Sequence, residues 1–142
     1  MNIDLKRFIE AQESEYINAL SEIKSGKKKS HWMWFIFPQI AGLGLSDTSR
    51  FYAIKNIDEA TSYLNHPILG FRLREISNAL LNFKESNANI ILGTPDDVKL
   101  KSCMTLFAII EESKDNVFNM VLDKFFNGKA DDKTLKLLKF QA

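Results

Sequence analysis

The chain has 142 residues, of which 45% are hydrophobic, and its 19 Lys and Arg against 18 Asp and Glu give a formal net charge of +1. This length and composition fit one globular domain over residues 1–142, which buries about 68–70% of the surface that the unfolded chain exposes. The near-neutral charge gives no general attraction for nucleic acid or for an anionic membrane, so neither partner is expected.

The N-terminal segment is predicted to be a helix. Its apolar residues recur at spacings of three and four from Leu5 to Ile23, which is the pattern of one helical face, and Gly26 follows as a typical helix stop. Gln12 is the polar exception on this face. A buried carboxamide without partners costs about 1–3 kcal/mol, so Gln12 either fastens a loop or lines a binding site.

The stretch GKKKSHWMWFIFPQIAGLGLS, residues 26–46, places three lysines and His31 directly beside two tryptophans. Residues 32–37 are all apolar, and Pro38 ends the short helix that they predict, so burial in the core is the first interpretation. The second is a pocket wall, because the edge where a cationic segment enters the interior commonly lines a site. Both remain open for His31 and Trp32. The glycines of this stretch do not form a dinucleotide-binding fingerprint.

Three more helices are predicted between residues 46 and 83: a short one after residue 46, one from residue 58 to about 65, and a longer one over 69–83. Arg72 lies between two apolar turns of the helix over 69–83. Its guanidinium either forms a buried ion pair with a carboxylate such as Glu75 or belongs to a site.

A strong helix start follows in TPDDVKL. Thr94 suits the N-cap, Pro95 the first helical position and Asp97 the reciprocal acid of a capping box. The same helix continues through CMTLFAII, which is apolar on nearly all sides and therefore predicts a helix enclosed by others. With two further helices, from residue 115 or 116 and over 131–140, the sequence predicts an all-α domain of about seven or eight helices around this central apolar helix.

Five segments resemble the bacterial family called domain of unknown function 1810, whose members are small, helical and sometimes labelled calpastatin. These segments are RFIEAQ, EIKSGKKKSHWMWFIFPQIAGLGLS, HPILGFRLRE, GTPDDVKLKSCMTLF and KFFNGKADDKTLKLL. The resemblance covers nearly the whole chain and implies an all-helical domain, but no activity, cofactor or catalytic residue. A calpastatin function is not expected, because those inhibitors are long, repetitive and largely disordered.

The candidate ligand-binding residues are Gln12, His31, Trp32, Arg72, Thr94 and Lys99. Together they offer cations, an imidazole, an aromatic plane and the N–H groups of a helix start. This combination suits a small anionic phosphorylated ligand such as a nucleotide or an ADP-ribose derivative. The alternative is a protein-interaction module that uses the aromatic segment 31–38 without catalysis. Whether the protein is an enzyme is left open, because no catalytic residue is identified.

Metal, cofactor and thiol chemistry are not expected. Two histidines and a single cysteine, without a zinc-binding spacing, predict no metal site. Cys103 falls in the most apolar helix, where burial makes a thiol unreactive. The charged N-terminus does not resemble a signal peptide, and the longest apolar run, 32–38, is too short to span a bilayer. We therefore expect a cytoplasmic protein.

Overall fold

The computed structural model describes residues 3–113 and 115–139. Nine helices lie within these ranges: α1 (Lys6–Ser25), α2 (Met33–Ile36), α3 (Asp47–Phe51), α4 (Ile57–Asn65), α5 (Leu69–Asn82), α6 (Ala88–Leu92), α7 (Asp96–Ile110), α8 (Val117–Phe126) and α9 (Asp132–Lys139). The predicted all-α fold class is confirmed. Phe140, the end of the last predicted helix, lies outside the described residues. No helix within the described ranges is long and apolar enough to cross a membrane.

Helix α7 is the centre of the fold, as predicted. It packs against α4, α6, α8 and α9. Its side chains Leu100, Cys103, Met104, Leu106 and Phe107 are all completely buried. A helix that is apolar on nearly every side folds in this way because any exposed face would leave apolar surface in water.

The predicted start of α7 is wrong by one residue. Pro95 is the N-cap and Asp96 the first helical residue. The hydroxyl of Thr94 accepts a hydrogen bond from the side chain of Asn89, and the carboxylate of Asp97 accepts one from the N–H of Val98. The expected capping box does not form, because both of its side-chain oxygens bond elsewhere.

Helix α6 accounts for the difference between the eight helices expected at most and the nine observed. It has five residues, and the side chain of Asn87 caps it by accepting from the N–H of Asn89. Ala88, Ile91 and Leu92 are its buried residues. A segment shorter than two helical turns cannot display a helical period, so the sequence pattern gave no signal.

Helix α1 packs against α2 and α5, and α5 also packs against α4 and α8. The predicted end of α1 is confirmed: Gly26 is the C-cap, with a left-handed φ of 84°. The aromatic stretch that follows is mostly core, because Trp32, Met33, Ile36 and Phe37 are buried. The chain then leaves the core through the irregular segment 38–46, which forms one side of the site described next.

Candidate functional site

The basic and aromatic stretch folds around the carboxylate of Glu22. This carboxylate accepts hydrogen bonds from the N–H of Lys29 at 2.6 Å, from the N–H and hydroxyl of Ser30 at 2.9 and 2.7 Å, and from the indole N–H of Trp32 at 2.9 Å. Burial raises the pKa of Glu22, but these hydrogen bonds outweigh it and lower the pKa to about 2. Trp32 is therefore a core side chain whose polar atom is satisfied.

Asp96, the first residue of α7, joins two lysines. The Nζ of Lys28 lies 2.9 Å from Oδ2 of Asp96, and the Nζ of Lys99 lies 3.2 Å from Oδ1. Each ammonium also lies over an aromatic ring: Lys28 is 5.1 Å from the Trp32 centroid and Lys99 is 3.9 Å from the Trp34 centroid. Asp97 follows in the same first turn, so the start of α7 holds two lysines and two carboxylates, of which Asp96 alone is paired with the lysines in the described residues.

A groove lies between this cluster and the segment 38–46. It consists of two cavities that share four lining residues, Trp34, Gln39, Leu43 and Gly44, and we call it the Trp34 groove. The apolar cavity, of about 90 Å³, is otherwise lined by Ile40, Ala41, Gly42, Ser49, Arg50, Tyr52 and Ala53. The charged cavity, of about 170 Å³, is otherwise lined by Pro95, Val98, Lys99, Ser102, Asp131 and Lys133.

The Trp34 groove carries more positive than negative charge. Its charged lining side chains are the cations Arg50, Lys99 and Lys133 and the carboxylate Asp131. The Oδ2 of Asp131 accepts from the N–H and the hydroxyl of Thr134 at 2.9 and 2.7 Å, and the carboxylate keeps its negative charge, so cations outnumber carboxylates in the lining by three to one. The groove therefore favours an anion.

Gln39 lies where the two cavities meet. It is 7% exposed, and its Nε2 is buried without a hydrogen-bond partner among the residues that the structure describes. Its backbone is held in place, because the carbonyl of Gln39 accepts from the N–H of Ile54 and the carbonyl of Ile54 accepts from the N–H of Ala41, each at 2.8 Å. A buried amide donor with no acceptor is uncommon in native proteins and calls for a ligand or an ordered water.

Among the six predicted site residues, one lines the Trp34 groove. Lys99 lines the charged cavity. Thr94 is exposed and directly precedes Pro95, another lining residue. Trp32 is buried, lines neither cavity, and has the Lys28 ammonium over its ring.

The other three predicted residues do not line the groove. Gln12 is buried, and its Nε2 donates to the carbonyl of Phe35 at 2.7 Å and to the hydroxyl of Tyr63 at 2.9 Å. His31 is exposed. The guanidinium of Arg72 lies 5.1 Å from the ring centroid of Tyr16, where α1 meets α5.

The side chains of Gln12 and Glu75 also bear on the predicted site. The Oε1 of Gln12 is buried without a partner in the described ranges, but Gln12 lines neither cavity of the groove. Glu75, the expected ion-pair partner of Arg72, accepts instead from the hydroxyl of Tyr16 at 2.5 Å.

Most groove residues were missed from the sequence, among them Trp34, Gln39, Arg50 and Lys133. Gln39 carried a usable signal, because it is the polar exception in the apolar run FPQIAGLGL, as Gln12 is on its helix face. Lys133 carried none, since its position depends on how α9 packs against α7.

Within the described residues, no group of three or more His, Cys, Asp and Glu could hold a metal ion.

These features define an all-helical protein with a small cationic groove beside its central helix. The family described as Protein of unknown function (DUF1810) matches residues 2–138, and the chain belongs to that family. It is similar to the conserved hypothetical protein Rv1873 from Mycobacterium tuberculosis, whose crystal structure at 1.38 Å has 41% sequence identity, a TM-score of 0.92 and 96% coverage of both chains. A comparison with curated proteins gave no match.

Proposed function

We propose that this protein binds a small anionic phosphorylated ligand in the Trp34 groove, with the phosphate in the charged cavity. The observation that carries the proposal is the Lys99 ammonium, which lines that cavity and lies 3.9 Å from the Trp34 ring centroid. Its only ion-pair partner in the described residues, Asp96, is shared with Lys28. Lys99 therefore supplies a cation that is held between Asp96 and the Trp34 ring, and a cation in a defined position lowers the cost of binding an anion.

The size of the groove limits the ligand. The cavities measure about 90 and 170 Å³. Both are smaller than the roughly 300–1,000 Å³ of a site that encloses a drug-sized ligand. A mononucleotide or a sugar phosphate fits this size with part of the ligand in solvent, whereas an ADP-ribose derivative would extend well outside the groove.

The lining residues support binding and identify no reaction. The hydroxyl groups of Ser49 and Ser102 donate to the backbone carbonyls of Ser46 and Val98 at 2.8 and 3.2 Å. Among the residues that the structure describes, neither hydroxyl donates to the side chain of a general base, as an activated nucleophile would. We therefore propose binding alone and assign no catalytic residue.

The alternative function, an interaction module built on segment 31–38, has less support. Such a module needs exposed aromatic side chains. Trp32 and Phe37 are completely buried, Trp34 and Phe35 are partly buried, and His31 is the exposed residue of the segment. A cytoplasmic location remains a prediction.

A thermal-shift panel tests the proposal. It contains uridine monophosphate, adenosine monophosphate, nicotinamide mononucleotide, ADP-ribose and ribose 5-phosphate at moderate salt. A ligand at a hundred times its Kd stabilises the folded state by about 2.7 kcal/mol, and the melting temperature rises accordingly. A flat response of the wild-type protein to the entire panel would contradict the proposal.

Variants locate the binding. Lys99→Gln should reduce the ligand-induced shift. The matched control is Lys101→Gln on the same helix, because Lys101 lies 6.0 Å from the Phe126 ring centroid and lines neither cavity. Arg72→Ala should also keep the full shift. An equal loss in Lys101→Gln would show that total charge, and not the groove, attracts the ligand.

A further inference from the structure

We infer that the Gln39 carboxamide is the specificity-determining donor of the Trp34 groove, and that it binds an acceptor atom of a planar heterocycle held in the apolar cavity. The acceptor is a ring carbonyl oxygen or a ring nitrogen. This inference rests on the proposed function and narrows it, because it makes the ligand a mononucleotide and not a simple sugar phosphate.

The side-chain amide of Gln39 is the first observation that supports this inference. Its Nε2 is buried and has no partner within residues 3–113 and 115–139. The neighbouring bridge between Ile40 and Ile54 fixes the backbone on both sides of the side chain. A buried donor without a partner on an anchored backbone discriminates between ligands, because a ligand that supplies the acceptor satisfies it and one that does not leaves it unpaired.

The two cavities of the groove differ in polarity. The lining of the apolar cavity includes a single charged residue, Arg50, whose side chain is exposed. The lining of the charged cavity includes two cations, Lys99 and Lys133, and one carboxylate, Asp131. An anionic group therefore belongs in the charged cavity and an uncharged ring in the apolar one. Trp34 lines both and offers an aromatic surface for the ring.

The hydrogen bonds of Gln12 differ from those of Gln39. Both glutamines are buried, but the Nε2 of Gln12 has two acceptors and that of Gln39 has none in the described residues. Gln12 lines neither cavity, whereas Gln39 lines both. Gln12 is thus a structural carboxamide, and it provides the matched control.

The test is calorimetric titration of wild type and Gln39→Met with uridine monophosphate, nicotinamide mononucleotide and ribose 5-phosphate. Gln39→Met should weaken binding of the mononucleotides at least tenfold, which corresponds to about 1.4 kcal/mol, and should change the Kd for ribose 5-phosphate less than twofold. Gln39→Leu, which also removes the donor without adding a charge, should show the same loss for the mononucleotides.

Melting temperatures without ligand complete the test. Gln39→Met should melt at or above the wild-type temperature, because it removes an unpaired donor, whereas Gln12→Met should melt lower. A fall in Gln39→Met as large as that in Gln12→Met would overturn the inference, since it would show that the amide has a structural partner such as an ordered water.

The other outcomes are equally decisive. Equal weakening of mononucleotides and ribose 5-phosphate by Gln39→Met would place the amide on the phosphate and overturn the assignment to a ring. Unchanged binding in Gln39→Met, together with loss in Lys99→Gln, would overturn the inference and leave the proposed function standing. No binding of any of the three ligands to wild type would overturn both.

Discussion

The indole N–H of Trp32 donates to the carboxylate of Glu22 at 2.9 Å, and this bond ties the core end of the basic stretch to α1. The same carboxylate holds the backbone of Lys29 and Ser30. One buried anion therefore explains how three consecutive lysines can lead directly into a buried aromatic segment: the backbone donors of the turn converge on Glu22.

Acid should weaken this arrangement. The pKa of Glu22 is lowered from 4.5 to about 2, so its contribution to stability is present above pH 4.5 and is lost as the pH falls towards 2. After a discount for solvent screening, this contribution is on the order of 2 kcal/mol. Between pH 6 and pH 3, the free energy of unfolding measured in urea should fall less in Glu22→Gln than in wild type.

The matched control is Glu10→Gln, on the same helix, where the carboxylate forms an exposed ion pair with Lys6. This variant should lose as much stability between the two pH values as wild type. An acid loss in Glu22→Gln equal to that of wild type would show that the carboxylate does not hold the turn.

Gly70→Ala should destabilise the protein, although alanine is the better helix former. A Cβ at Gly70 would lie 1.9 Å from the backbone oxygen of Leu64, which cannot move without disturbing the end of α4. The helix-propensity gain of roughly 1 kcal/mol is smaller than the clash, so we expect a net loss of about 1–3 kcal/mol in chemical unfolding. A variant as stable as wild type would contradict this packing.

Cys103 should react slowly with a thiol reagent in the native protein and quickly in denaturant. It is completely buried in α7, and burial raises the pKa of its thiol well above the usual value. The control is Val98→Cys in a Cys103→Ala background, because Val98 lies on the same helix and is 53% exposed. Equal native labelling rates at the two positions would contradict the central placement of α7.

The fold was largely predictable because its signals are local. The apolar spacing of α5 and the nearly all-apolar sequence of α7 each identify a helix and its surroundings within one segment. The failures are also local in origin. Helix α6 is too short to show a period, and Thr94 and Asp97 bond to neighbours other than the N–H groups that a capping box would use.

The site was less predictable because it depends on contacts between distant segments. Residue type identified Lys99 and Arg72 as candidate cations, but only packing separates them, one at the groove and the other on the Tyr16 ring. The Nε2 of Gln39 has no partner in the described part of the chain, and the bridge between Ile40 and Ile54 holds the neighbouring backbone. No spacing in the sequence encodes that pairing.

The central claim is that the Trp34 groove binds a mononucleotide through Gln39. The most direct test is a two-dimensional ¹⁵N–¹H correlation spectrum, recorded during titration with uridine monophosphate or nicotinamide mononucleotide. The side-chain amide signals of Gln39 and the indole N–H signal of Trp34 should shift and saturate together. Those of Gln12 and Trp32, which are hydrogen-bonded away from the groove, should stay in place. Saturable shifts at Gln12 and Trp32 with none at Gln39 and Trp34, or no shift at any of the four, would contradict it.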